Sequence, residues 1–153
     1  MLFLLFQLGA ERYALDARRV ESVLPLVELQ ALAGAPRAVA GVFNYRGTPV
    51  PVVDLRELIW REPVQLRLAT RIILIKAGDS QNHPRWLGLI AENVSRMVRK
   101  ELSEFQESAL RRGEPPFLGP MLFDQQGIIR LLREDRLLSH ETSQALYSTK
   151  VNL

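Results

Sequence analysis

Short apolar runs separated by glycine, proline or charged breaks recur along the whole chain. The first, Leu2-Phe3-Leu4-Leu5-Phe6, continues to Leu8 and is closed by Gly9-Ala10-Glu11-Arg12. Tyr13-Ala14-Leu15 follows, and two short runs about a glycine-bearing turn predict a β-hairpin. Asp16 is placed to cap a helix. Val20, Val23, Leu24 and Val27 fall at i, i+3, i+4 and i+7, so a short helix is expected over 16–24, ended by Pro25. Gly34-Ala35-Pro36 is a breaker cluster. Val42 to Tyr45 and Val50 to Leu55 read as strands about an Arg46-Gly47-Thr48 turn. Pro49 and Pro51 lack ladder donors, which places the start of the second strand at an edge or a bend. Asp54 is positioned to cap a helix from Leu55 to Trp60.

Downstream, Arg71 to Lys76 is a β-branched run, Asp79 to Arg85 an expected hairpin loop, and Trp86 to Ile90 the returning strand. Val94 to Lys100 alternates apolar and polar, as a strand does. Glu101 to Arg112 is helix-permissive. Leu118 to Phe123 and Ile128 to Leu132 form a further hairpin about Asp124-Gln125-Gln126-Gly127. A helix start is expected at Arg133 to Leu138, and a helical tail through Tyr147.

The order of these elements repeats. Leu4 to Gly9, Tyr13 to Leu15, then Val20 and Val23 are echoed by Ile73 to Gly78, Trp86 to Ile90, then Val94 and Val98. Gly41, the Arg46-Gly47 turn and Val52 to Leu55 are echoed by Gly119, the Gln126-Gly127 turn and Ile128 to Leu131. Each partner lies roughly 70–80 residues downstream. The simplest architecture is two small units of about five short strands each, curled into barrels that hide their edges. The expected division is 1–66 and 67–138, with 139–153 as a tail. One mixed α/β sheet is the alternative on pattern alone.

Composition narrows the chemistry. The 153 residues are 47% hydrophobic and 24% charged, which suits a globular domain able to bury a core without disulfides. There is no Cys, which removes disulfide scaffolds, thiolate metal sites and Cys nucleophiles. His83 and His140 are the only two histidines, too few for a multi-His metal site, and both read as solvated surface residues. The apolar start has no preceding Lys or Arg and no small-residue cleavage site. It is far short of the roughly 20 residues a membrane span needs. A cytoplasmic location is expected, without membrane insertion.

No carboxylate pair, phosphate loop or nucleophile motif stands out, so an enzyme is the weakest reading and no cofactor or metal is expected. The net charge of +3 and a pI of about 9.7 keep a small basic β-barrel that binds nucleic acid as the alternative function. Against it, aromatic content is only 7%, and the Arg18-Arg19 and Arg111-Arg112 pairs read as solvated helix faces. Arg46 is different. It sits at the tip of a tight turn before a glycine, where its fork of donors can meet a partner's carboxylate or carbonyl. An internal ion pair with Asp54 is the competing explanation.

The stretch Gly41-Val42-Phe43-Asn44-Tyr45-Arg46-Gly47-Thr48-Pro49-Val50-Pro51-Val52-Val53-Asp54-Leu55-Arg56 resembles the CheW family, whose pattern here is a Gly-Val-Ile-Asn-Leu-Arg-Gly turn and a Val-Pro-Val-Val-Asp-Leu-Arg strand. Phe6 to Gly9, Tyr13 to Asp16, Val20 to Val23 and Gly88 to Ile90 agree as well, so the likeness covers about residues 3 to 140. The resemblance implies a mainly β fold of two packed five-stranded SH3-like barrels with a few short helices. It implies a stand-alone, non-catalytic adaptor between the cytoplasmic tip of a methyl-accepting chemoreceptor and the regulatory domain of a CheA-type histidine kinase. Self-association in arrays is left open. By motif position, Val20, Gly41 and Arg46 match the receptor-contacting surface, and Asn44, Gly47 and Asp54 hold the turn and strand end. Phe43, Tyr45 and Asn93 depart from the family's usual Ile or Thr, Leu and Asp. These departures leave the pathway open between swimming chemotaxis and surface sensing through a diguanylate cyclase.

Overall fold

The computed structural model describes residues 1–80, 83–107 and 113–147. Arg111, Arg112, the surroundings of His83 and the tail from 148 lie outside the described residues. The strands are β1 (Leu2–Leu8), β2 (Glu11–Asp16), β3 (Val20–Pro25), β4 (Val39–Tyr45) and β5 (Thr48–Asp54), then β6 (Arg71–Ser80), β7 (His83–Ala91), β8 (Asn93–Arg99), β9 (Leu118–Asp124) and β10 (Gly127–Leu132). Helix α1 spans Leu55–Trp60 and α2 spans His140–Tyr147, with single 3-10 turns at Ala17–Arg19, Leu102–Glu104 and Glu134–Arg136.

Two five-stranded sheets result, ordered β3-β6-β7-β5-β4 and β8-β1-β2-β10-β9. Neither closes into a barrel by continuous pairing. A lone bridge, Gln30 to Val42, draws the chain after β3 onto β4, and Gln106 to Met121 does the same after β8 onto β9. The arrangement is SH3-like in both. Replacing β3, β6, β7, β5 and β4 by their repeat partners β8, β1, β2, β10 and β9 converts one strand order into the other. The repeat is therefore structural, but the sheets cut across the expected 1–66 and 67–138 division. The β1–β2 hairpin leaves its own half to join β8, β9 and β10, while β6–β7 joins β3, β4 and β5. The physical reason lies in the parallel pairs, β10 with β2 and β5 with β7, which fill the second edge of each hairpin.

This exchange explains the continuous apolar runs. Alternate residues of a strand face opposite sides. Leu4, Phe6 and Leu8 enter the core between the sheets with Ile73, Ile75, Leu87 and Leu89. Phe3 and Leu5 face a second core with Phe105, Leu122 and Ile129. Ile72 and Ile90 face a third with Val52. Strands β1 and β6 are apolar on both faces because each is buried on both.

Four expectations change. The segment expected as a helix over 16–24 is a 3-10 turn, capped by the Asp16 side chain, followed by strand β3. The β-branched residues Val20 and Val23 suit a strand, and half-buried Val20, Ser22 and Leu24 alternate with exposed neighbours. The open edge of β6 decides the outcome, pairing Val23 with Ile73 and Leu24 with Ile72. The loop expected over 79–85 is shorter, since Ser80 still pairs with His83. The described part of 101–112 holds a single 3-10 turn and the Gln106 bridge in place of a helix. Arg133 to Leu138 likewise holds one 3-10 turn, with α2 following it, and His140 is exposed.

Candidate functional site: the β4–β5 turn

The turn is built from its backbone outward. Tyr45 pairs with Thr48, leaving a two-residue loop of Arg46 and Gly47. Their φ values are 51° and 87°, the positive pair that a type I′ hairpin needs. Gly47 adopts this at no steric cost, whereas Arg46 is held there by the hairpin. The Asn44 side-chain Oδ1 accepts a 2.7 Å hydrogen bond from the Gly47 N–H and fixes the loop.

The prolines fit for a geometric reason. The N–H and C=O of Val42 point to Gln30, away from β5. The facing Val42–Pro51 pair is thus a non-hydrogen-bonded one, and Asn44–Pro49, two residues on, is another. On the other side, β5 pairs with β7 only from Val52 onward. Pro49 and Pro51 occupy the part of β5 that is an edge, as expected.

Gly41 sits at the opposite end of β4, buried, with φ of 155°. A Cβ there would lie 2.6 Å from the Gln30 carbonyl oxygen, so only glycine lets the 29–30 segment close onto β4. Val20 stands half-buried at the start of β3, at the other end of the strand order, packed on the core between the sheets. The structure thus gathers Asn44, Arg46 and Gly47 into one turn and places Val20, Gly41 and Asp54 elsewhere.

Asp54 is buried at the end of β5. Its Oδ1 accepts from the Glu57 N–H, capping α1, and its Oδ2 accepts from the Val64 N–H at 2.9 Å. Both oxygens are occupied, so the ion pair with Arg46 does not form. Arg46 is exposed and has no ion-pair partner among the described residues. Its guanidinium carbon lies 5.1 Å from the centre of the Tyr45 ring. Tyr45 in turn meets Phe43 and Trp86. Trp86 was missed as a neighbour of the turn, since the contact joins strands 41 positions apart along the chain. The departure of Tyr45 from the family pattern was the available signal.

Several other cations are paired within the chain. Arg12 holds Asp124, Arg56 bridges Glu92 and Glu62, and Arg130 holds Glu114. Arg18 and Arg19, expected on a solvated helix face, lie within a 3-10 turn and pair with Asp16 and Glu134. Among the described residues no group of three or more potential ligands is placed to hold a metal ion. The phenol of Tyr13 is pushed up to about 12 by burial, and its hydroxyl accepts from the Trp60 indole, a structural contact.

The geometry has counterparts among known proteins. The family model of the CheW-like domain matches residues 2–142. The chemotaxis protein CheW of Klebsiella aerogenes is 31% identical over 93 residues, which cover 61% of this chain and 53% of that protein. The chain thus spans about half the length of that relative. CheW of Bacillus subtilis is 21% identical over 144 residues, covering 93% of this chain and 89% of its own. The crystal structure of the scaffolding protein TtCheW from Thermoanaerobacter tengcongensis superposes with a TM-score of 0.81 at 20% identity, covering 92% of this chain and 89% of that one. With a family match across nearly all of its length, this chain belongs to the CheW-like domain family.

Proposed function

We propose that the chain is a non-catalytic coupling adaptor that joins a methyl-accepting chemoreceptor to a CheA-type histidine kinase in a bacterial chemosensory array. The observation that carries this reading is Arg46, without an ion-pair partner among the described residues, on a rigid two-residue turn of a CheW-like fold. A fixed guanidinium with free donors recognises a partner's carboxylate or carbonyl groups. Arg46 and Val20 belong to the receptor-facing surface, and Gly41 shapes it by seating residues 29–30. Asn44, Gly47 and Asp54 hold the framework. The kinase's CheW-like regulatory domain pairs with a sheet of this chain at a separate face.

Among the described residues no helix is long and apolar enough to cross a membrane. The adaptor works in the cytoplasm and reaches the membrane through its receptor. The identity of that receptor determines whether the array serves swimming chemotaxis or surface sensing.

Calorimetry with the kinase regulatory domain and a soluble receptor-tip fragment from the same organism tests the reading. The expected result is saturable binding of both, with Arg46→Glu and Val20→Glu losing the receptor fragment and keeping the kinase domain. Unaltered receptor binding by both variants refutes it.

A further inference from the structure

The aromatic residues behind the turn form a connected set that turn closure does not need. Tyr45 lies between Phe43 and Trp86, with ring centres 6.4 Å away in each case and planes inclined by 68° and 66°. Such tilted contacts put the positive edge of one ring toward the negative face of another. Trp86 opens the regular part of β7, and its carbonyl oxygen accepts a 2.8 Å hydrogen bond from the Tyr147 hydroxyl of α2. The Arg85 guanidinium lies over the Tyr147 ring at 5.4 Å. Tyr45 is thereby braced from its own strand and from β7, and β7 is tied at that point to α2. The Arg46 guanidinium rests on the braced ring. Backbone closure itself is complete with Arg46, Gly47 and the Asn44 side chain.

We propose that Tyr45 is a positioning and specificity-determining residue for the partner contact made by Arg46. Its ring, backed by Trp86, holds the guanidinium in a preferred place before the partner arrives. A free arginine loses side-chain rotamer freedom on binding, and a guanidinium already seated on an aromatic face loses less. The group recognised is a carboxylate on the partner surface, matched to a fork of donors that no acid among the described residues engages. A leucine at position 45 fills the strand position but offers no π face. This inference rests on the reading of the turn as the receptor contact.

The experiment is a double-mutant cycle in the full chain, read by calorimetry against the receptor-tip fragment. Tyr45→Phe keeps the ring and is expected to bind like the parent. Tyr45→Leu is expected to weaken binding roughly two- to fivefold, the range of a cation–π contact at an exposed site. In an Arg46→Ala background, Tyr45→Leu is expected to add nothing, because the ring acts through the arginine. Kinase-domain binding stays at the parent's value in both Tyr45 variants, and the thermal midpoint falls only in Tyr45→Leu, which loses the ring contacts with Phe43 and Trp86. Trp86 emission, recorded in a Trp60→Phe background, changes on addition of the receptor fragment and does so less in Tyr45→Leu.

If Tyr45→Leu binds like the parent while Arg46→Ala does not, the inference falls and the receptor reading stands. If Tyr45→Leu weakens binding equally with and without Arg46, the ring acts independently of the arginine and the inference falls. If Arg46→Ala itself binds like the parent, both fall.

Discussion

The β4–β5 and β9–β10 turns occupy equivalent places in the two sheets and use charge in opposite ways. Asp124, the last residue before the second turn, accepts two hydrogen bonds from the Arg12 guanidinium at 2.8 and 2.6 Å and a third from the Gln126 N–H. The Arg12 guanidinium holds the Asp124 carboxyl well below the usual carboxylate range, and Asp124 raises Arg12 in return. That turn is bolted to β2 and its charge is consumed. At the matching register position the first turn has Tyr45, a neutral amide on Asn44 makes the bracing bond, and the cation stays uncommitted. The difference teaches that one fold unit, used twice, can be closed on itself by an ion pair in one copy and leave its cation without an ion-pair partner among the described residues in the other.

The comparison can be broken at four points. Gly41→Ala has the largest expected effect, a loss of about 1–3 kcal/mol in urea unfolding, because the added carbon meets the Gln30 carbonyl and strips the first turn of its root. Parent stability in that variant would show that the 29–30 segment is free to move aside. Asp124→Ala comes next, at about 1–2 kcal/mol, since the partly exposed pair is screened by solvent on the Asp124 side. Its pH dependence has a definite sign. The native carboxyl titrates below its unfolded value of about 3.9, so the added stability is present above about pH 4 and fades as pH falls toward the native value. Asp124→Asn should therefore flatten the acid limb of the stability curve, and superimposable limbs would show that the pair contributes none of it.

Asn44→Ala should cost about 0.5–1.5 kcal/mol through the lost turn bond. Arg46→Ala should stay within about 0.5 kcal/mol of the parent, because its charge makes no ion pair among the described residues and its contact with the Tyr45 ring is exposed to solvent. A stability loss at Arg46 equal to that at Asp124 would erase the distinction between the two turns.

Much of this was legible in the residues. The Asn44-to-Gly47 spacing announces a tight hairpin, and Asp54 is a visible cap. The runs in β1 and β6 announce strands, though not that each faces two cores. The segment from Val20 to Val27 misleads because four apolar residues match helical spacing by chance. What decides it is the open edge of β6, a partner found only in space. The exchange of hairpins was hidden for a similar reason. Periodicity fixes which face of a strand is apolar, but not which edge accepts the next strand. The Tyr45–Trp86 contact and the Tyr147 bond to the Trp86 carbonyl join distant positions and leave no local pattern.

The exchanged hairpin also sets an order of assembly during synthesis. Strands β3 to β7 lie within residues 20–91, so their sheet is complete once that stretch has emerged from the ribosome. The other sheet needs β1 and β2 together with strands that end at Leu132. The earlier hairpin is made before the finished sheet and finds its neighbours after it. Until then Phe3, Leu4, Leu5 and Phe6 wait without pairing partners on either edge of the hairpin, the kind of transient apolar exposure that invites misassembly. Reordering the gene so that translation starts at Val20 and the hairpin follows Tyr147 would bring the hairpin out after β8, β9 and β10, and would remove that wait.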